Sequence, residues 1–362
     1  MRLALRIAAV GVRLPASTHH TNRLGTVIHT AYGHLFEPAG TRSHPPTVRR
    51  GGVLVLSDKY STPTAADAER TSDMASAAVA DVLSAASTAA PHIRSIIHAQ
   101  CTLDQQILGS ACMRIGYDHF RHASTAITVG QLGTAGIPAV LRLAAMDTAQ
   151  GGLACISASD KWLAPFFRRV PGLVTHADAA AACLVASSDL ISAPIAEIES
   201  VVASSQPPDH DLWTAPAERQ LASVRALAER CITRLLQENP DVDRASLCLA
   251  GDDYETGLNS WLAQVTGIGG ECLDGPLPGV HLSSPSPLAG LRTAVAAAVR
   301  MGRPVRAVIW TASPAGHAGA LLVRCAPDAI ATPTGWTSRH PFPPTIHGGV
   351  RHTRPQQGAR HE

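Results

Sequence analysis

The chain has 362 residues, 45% of them hydrophobic, 16% charged and 4% aromatic, with a formal net charge of +2. That is enough apolar material for two average domains or one large α/β unit. No stripe of Arg interleaved with aromatics is present, and no apolar run reaches the length of a membrane span, so neither nucleic acid nor a membrane is expected as a partner. Cysteines stand at 101, 112, 155, 183, 231, 248, 272 and 325 without a CxxC pair. They read as reduced, mostly buried thiols, and no metal is expected.

The opening MRLALRIAAVGVRLPAS has the basic start and apolar run of a secretion signal, but Arg6 interrupts the run. A first strand, Leu5 to Leu14, is the expected reading, and with it a cytoplasmic protein. Residues 17–64, rich in His, Pro, Gly and Arg, read as loop with one hairpin around Gly52 to Leu56. From Ala65 to Ala86, Met74, Ala78, Val82 and Ala85 recur at helical spacing. A strand at Ile93–Ala99, a helix at Gln105–Phe120 and a strand at Ser124–Val129 follow, and this alternation predicts a sheet flanked by helices.

An internal echo suggests how the rest is built. Ala135 to Ser159 aligns without gaps on Ala289 to Ser313, each an apolar helix, a Gly-containing turn and an apolar strand, at an offset of 154 residues. A duplicated α/β unit is therefore expected. The predicted parts are an N-terminal half, 1–203, a Pro-rich linker, 204–217, and a C-terminal half, 218–326, that opens on a helix from Arg219 to Asn239. The tail, 327–362, has no periodicity and is expected to be disordered.

Several segments in order carry a family likeness: GSACMRIG (109–116), ITVGQLGTAGIPAVLRLA (127–144), HADAAAACLVAS (176–187), GVHLSSPSPLAGL (279–291) and GHAGALLVRC (316–325). With them the chain resembles the thiolase superfamily, and within it the β-ketoacyl carrier-protein synthase III family with its acyltransferase branch. The resemblance implies two pseudo-duplicated βαβαβ halves in a layered αβαβα core. It also implies acyl-thioester chemistry in fatty-acid-like or secondary-metabolite biosynthesis. No cofactor would be held permanently; the thioester of coenzyme A or of an acyl carrier protein's phosphopantetheine would be the substrate. A homodimer or heterodimer, paired through Ser124–Val129, is implied as well.

The family's QxxCAG turn sets a cysteine at the N-terminus of a buried helix, where dipole and N–H groups favour a thiolate and then an oxyanion. Here Gln131-Leu132-Gly133-Thr134-Ala135-Gly136 puts Thr134 in that place. Two readings stay open: Thr134 accepts the acyl group with the help of a base, or it merely caps a helix. Counting back from Gly267 sets Asp252 and Glu255 where the family's HxxN residues would fall. In the acyltransferase pattern GHxxxxD the histidine corresponds to His281, and Ser286 stands where an orienting Asp would be. His281 is the candidate general base. Gly136, Ser286 and Gly316 are weaker candidates for substrate or oxyanion contacts, the oxyanion donors being N–H groups of Thr134 and of the Gly316 loop. Cys101 and Cys112 read as inert buried thiols, and Asp160-Lys161-Trp162 as a solvated loop near the substrate entrance. The family's adenine contacts are not recognisable in 17–64, which leaves coenzyme A and a carrier protein as alternative donors. A catalytically silent relative, acting as a heterodimer subunit or acyl-chain binder, is the competing reading.

Overall fold

The computed structural model describes residues 2–15, 69–102, 110–123, 125–162, 169–170, 172–187, 190–212, 215–254, 257–277 and 279–328. The expected loop and hairpin in 17–64, the first turn at Ala65, the start of the Gln105 helix, Glu255 and the tail lie outside these residues.

The strands are β1 (Arg2–Arg13), β2 (Ile93–Gln100), β3 (Thr125–Gly130), β4 (Leu153–Asp160), the two-residue β5 (Arg169–Val170) and β6 (Val174–Thr175), then β7 (Ala179–Ala186), β8 (Ala196–Ser205), β9 (Cys248–Gly251), β10 (Val305–Ala312) and β11 (His317–Cys325). The α-helices are α1 (Thr71–Ala85), α2 (Ala111–His119), α3 (Gly136–Thr148), α4 (Ala217–Glu238), α5 (Leu258–Thr266) and α6 (Ser286–Met301). Helix α1 starts six residues later than its periodicity suggests. Asp73 accepts the N–H of Arg70 at 3.1 Å and sets that start.

One nine-stranded sheet runs in the order β3-β2-β4-β7-β1-β8-β11-β10-β9. β1 and β8 pair antiparallel at its middle, and outward from each come two antiparallel neighbours and then a parallel one, with β3 a further strand on the first side. β8 thus holds in the second group the place β1 holds in the first. The expected linker at 204–217 is taken up at its start by the end of β8 and at its close by the start of α4. The echoed strands match as β4 and β10, which begin at Leu153 and Val305 and end at Asp160 and Ala312, an offset two residues shorter than the sequence echo.

Helices α3 and α6 share a buried core with one face of both groups of strands, through Ile137, Leu141, Leu288 and Leu291. α1 and α2 cover the other face of the first group, and α4 and α5 that of the second. The result is the α/β layering expected of the thiolase-like fold. Small side chains make it possible: β7 is AAAACLVA and buried throughout, which lets helices approach closely on both sides. All eight cysteines are free thiols, six of them buried. No helix among the described residues is long and apolar enough to cross a membrane.

A buried imidazole sits in this core. His98 on β2 is 0% exposed, with Nδ1 2.8 Å from the Ser157 hydroxyl and Nε2 3.4 Å from that of Ser159. Burial holds its pKa down at about 3. The unfolded chain would take up a proton near pH 6.5 while the fold stays neutral, so stability is full above that pH and falls as pH drops towards 3. Between pH 7 and pH 5 this one group should cost about 2 kcal/mol. Urea titrations at the two pH values, on wild type and His98→Asn, should differ by roughly that amount; equal pH dependence would contradict it.

Candidate active site

The site forms where the C-terminal ends of the two groups of strands meet. β3 ends at Gly130, and Gln131 takes a left-handed φ of 63° to turn the chain. Gly133, at φ 55°, then opens a single tight turn, Gly133–Ala135, that runs into α3. A Cβ on Gly133 would lie 2.7 Å from the Cβ of Ser313, so the turn is pressed against the β10–β11 connection of the other half. Thr134 rides on this turn, 2% exposed.

Thr134 does not cap the helix. Its hydroxyl donates to Oδ2 of Asp252 at 2.8 Å, across 118 residues of sequence. The same oxygen accepts the Thr311 hydroxyl and the Ala312 N–H, each at 2.9 Å. An oxygen that takes three hydrogens carries none of its own, which makes Asp252 the acceptor at the centre of the site. Asp252 is 1% exposed, and Oδ1 has no hydrogen-bond partner among the described residues.

His281 lies beside the same carboxyl, its Nε2 3.5 Å from Oδ2. The backbone N–H of Ser283 donates to Nδ1 at 2.9 Å, so Nδ1 is the acceptor and the ring hydrogen of the neutral form sits on Nε2. His281 is the expected base for Thr134. No hydrogen bond joins the two, and the imidazole offers a donor where a base would need a lone pair. Its carboxylate neighbour comes from the Asp252 segment rather than from position 286.

Thr134 and His281 both line a cavity of about 270 Å³. Its wall is mixed, with Leu173, Val174 and Pro314 beside His176, Gln220 and Cys101. Burial and then the Asp160 charge push the Cys101 thiol well above its ordinary range, in keeping with an inert thiol. The Tyr254 hydroxyl, raised by burial and by Asp252, donates to the Ala312 carbonyl at 2.5 Å.

The three weaker candidates are engaged elsewhere, and none lies on the cavity wall. Gly136 is the buried first residue of α3, and its N–H goes to the Gly133 carbonyl. Gly316 donates to Ser313 at 3.0 Å and accepts from Gln206 at 2.8 Å, so its N–H is spent in its own turn. Ser286 accepts the Leu282 N–H at 3.2 Å and closes the His281 loop. Asp160, expected in a solvated loop, is 0% exposed and accepts hydrogen bonds from Cys101, Thr102 and Ser284. Trp162 stacks on His176 with ring centroids 4.1 Å apart and lines the cavity. The count from Gly267 reaches Asp252, but its residue type does not match the family's pattern there, and its contact with Thr134 is not foreseen from the sequence.

No protein-family model matches the chain, and no curated protein sequence matches it. Solved structures do. 3-Oxoacyl-(acyl carrier protein) synthase III from Xanthomonas oryzae superposes with a TM-score of 0.64 at 14% identity, covering 89% of this chain and 99% of that one. The acyltransferase ChlB3 gives 0.63 at 13%, covering 89% and 98%. A variant of OleA from Xanthomonas campestris gives 0.63 at 13%, covering 88% and 98%. The chain therefore has the thiolase-like fold of the synthase III proteins. Its neighbours in structure are condensing enzymes and acyltransferases.

The turn that carries Thr134 can be tested by its packing. Gly133→Ala meets both a left-handed φ and Ser313, whereas Gly151→Ala meets a φ of 89° with nothing within 4 Å. The first should cost about 2 kcal/mol or more and the second about 1 kcal/mol. Chemical denaturation of both variants checks this, and equal costs would show that the turn is not pressed on the other half.

Proposed function

We propose that this chain is an acyltransferase that takes acyl groups from coenzyme A or carrier-protein thioesters onto Thr134. The observation that carries the reading is the hydrogen bond from the Thr134 hydroxyl to Asp252 in the cavity-lining turn before α3. It is the contact a nucleophile makes with its base. As Oγ1 bonds to the thioester carbon, Asp252 takes its proton; the C–S bond then breaks and the thiol leaves with that proton. The Thr134 N–H, with the positive end of the α3 dipole behind it, holds the oxyanion. His281, with its hydrogen on Nε2, steadies the Asp252 carboxyl.

One observation favours the silent reading. Asp252 Oδ2 accepts the Thr311 hydroxyl and the Ala312 N–H as well as Thr134, the pattern of a carboxyl that ties the two halves together. Intact-mass analysis after mixing with acetyl-, butyryl- and octanoyl-coenzyme A decides between them. The active reading expects an adduct on wild type, none on Thr134→Ala, and formation at least about 100-fold slower on Asp252→Asn. No adduct on wild type, with one gained by Thr134→Cys, would instead identify a silent protein that keeps the helix and its donors.

The edge strand supports assembly. Among the described residues β3 borders only β2, Ile127 on it is 41% exposed, and Met113 and Tyr117 of α2 are exposed beside it. An unpaired edge with apolar neighbours is suited to pairing with the same edge of a second copy or a related subunit. Sedimentation should give a dimer mass for wild type, or for a co-expressed pair, and a monomer for Ile127→Lys. A wild-type monomer well above micromolar concentration, with no related partner, would contradict it.

A further inference from the structure

Asp160 ends β4 in the first half, and its carboxyl holds together two segments that meet at the cavity. Oδ1 accepts the N–H groups of Cys101 and Thr102, each at 2.7 Å, and the Thr102 hydroxyl at 3.0 Å. Oδ2 reaches into the second half and accepts the Ser284 N–H at 2.8 Å. Ser284 directly follows Ser283, which is held at a left-handed φ of 59° that a non-glycine residue rarely adopts. That conformation accompanies the presentation of the Ser283 N–H to Nδ1 of His281. Further ties on the loop are the Trp162 Nε1–H donated to the Ser283 hydroxyl at 3.2 Å, the Leu282 N–H donated to Ser286, the Ser286 N–H donated to the Ser283 carbonyl at 2.9 Å and the His281 N–H donated to the Thr175 carbonyl at 2.8 Å, with His176 Nδ1 3.2 Å from the Ser283 hydroxyl and Cys101 Sγ 3.2 Å from that of Ser284. Burial pushes the Asp160 carboxyl above its ordinary range, and the N–H donors pull it back.

We infer that Asp160 is a positioning residue for His281: by fixing Ser284 it keeps Ser283 in its strained turn, and so keeps the His281 hydrogen on Nε2, facing Asp252. The role in acyl transfer rests on the function proposed above, but the positioning itself does not. An amide at 160 would separate the two sides. Its oxygen would serve the three donors of Cys101 and Thr102, and its NH2 would face the Ser284 N–H, donor against donor.

Long-range ¹⁵N NMR of the histidines, with His281 assigned by loss of its signal in His281→Gln, reads the tautomer directly. Wild type should show the Nε2–H form. Asp160→Asn should shift the ratio towards Nδ1–H by roughly fivefold, the worth of about one net hydrogen bond. Adding Ser283→Gly, which adopts the left-handed turn without strain, should shift it back. The acyl-adduct rate should fall roughly 10- to 100-fold in Asp160→Asn and recover in the double variant. An unchanged ratio in Asp160→Asn, or an Nδ1–H form in wild type, overturns the inference. If Asp160→Asn does not fold, hydrogen exchange at Ser284 in wild type takes its place: protection like the core supports the tie, and loop-like exchange overturns it. Tautomers as expected with no adduct on wild type would remove the proposed function and leave the positioning role standing.

Discussion

The hydrogen bond between Thr134 and Asp252 is the constraint on which the site depends, because it joins the two halves of the duplicated fold where their strands end. Thr134 comes from the turn after β3, and Asp252 directly follows β9, the last strand at the opposite edge of the sheet. Thr311 and Ala312 at the end of β10 add their hydrogens to the same oxygen. A carboxyl that is 1% exposed would be costly without such partners. The same bonds that make it affordable also decide where Thr134 points.

Around this pair the polar groups are arranged in ranks. His281 faces Asp252, Ser283 fixes the ring from its other nitrogen, and Asp160 holds the residue after Ser283. Trp162 and His176 stack as one wall of the cavity, and His176 meets His281 edge-on, the two imidazole centroids being 5.0 Å apart. Each side chain is held by more than one neighbour, which suits a site that must keep a geometry rather than adapt one. Two non-glycine residues in left-handed conformations, Gln131 and Ser283, both lie on this cavity, where strain is most often retained for function.

Much of the architecture was legible in the sequence because it rests on local pattern. The Leu5–Leu14 alternation, the α4 stripe of Leu221, Val224, Leu227 and Leu235, and the helix-turn-strand echo each reflect which face of an element is buried. The site was legible only in part. Thr134 and His281 stood out by their turn and loop, and both do line one cavity. The identity of their partner did not, since a contact across 118 residues depends on how strands stack and leaves no local periodicity. Asp160 was misread for a related reason: an acidic residue at a strand end ordinarily signals solvent, and nothing nearby in sequence announces the Ser284 N–H, 124 residues away, that accompanies its burial.

If Thr134 is coupled to Asp252 rather than to His281, a pair of double-mutant cycles on unfolding free energy will show it. Thr134→Val is combined with Asp252→Asn in one cycle and with His281→Gln in the other. The coupling should be about 1 kcal/mol or more with Asp252 and less than about 0.5 kcal/mol with His281. A coupling carried by His281 instead, with none to Asp252, would contradict it.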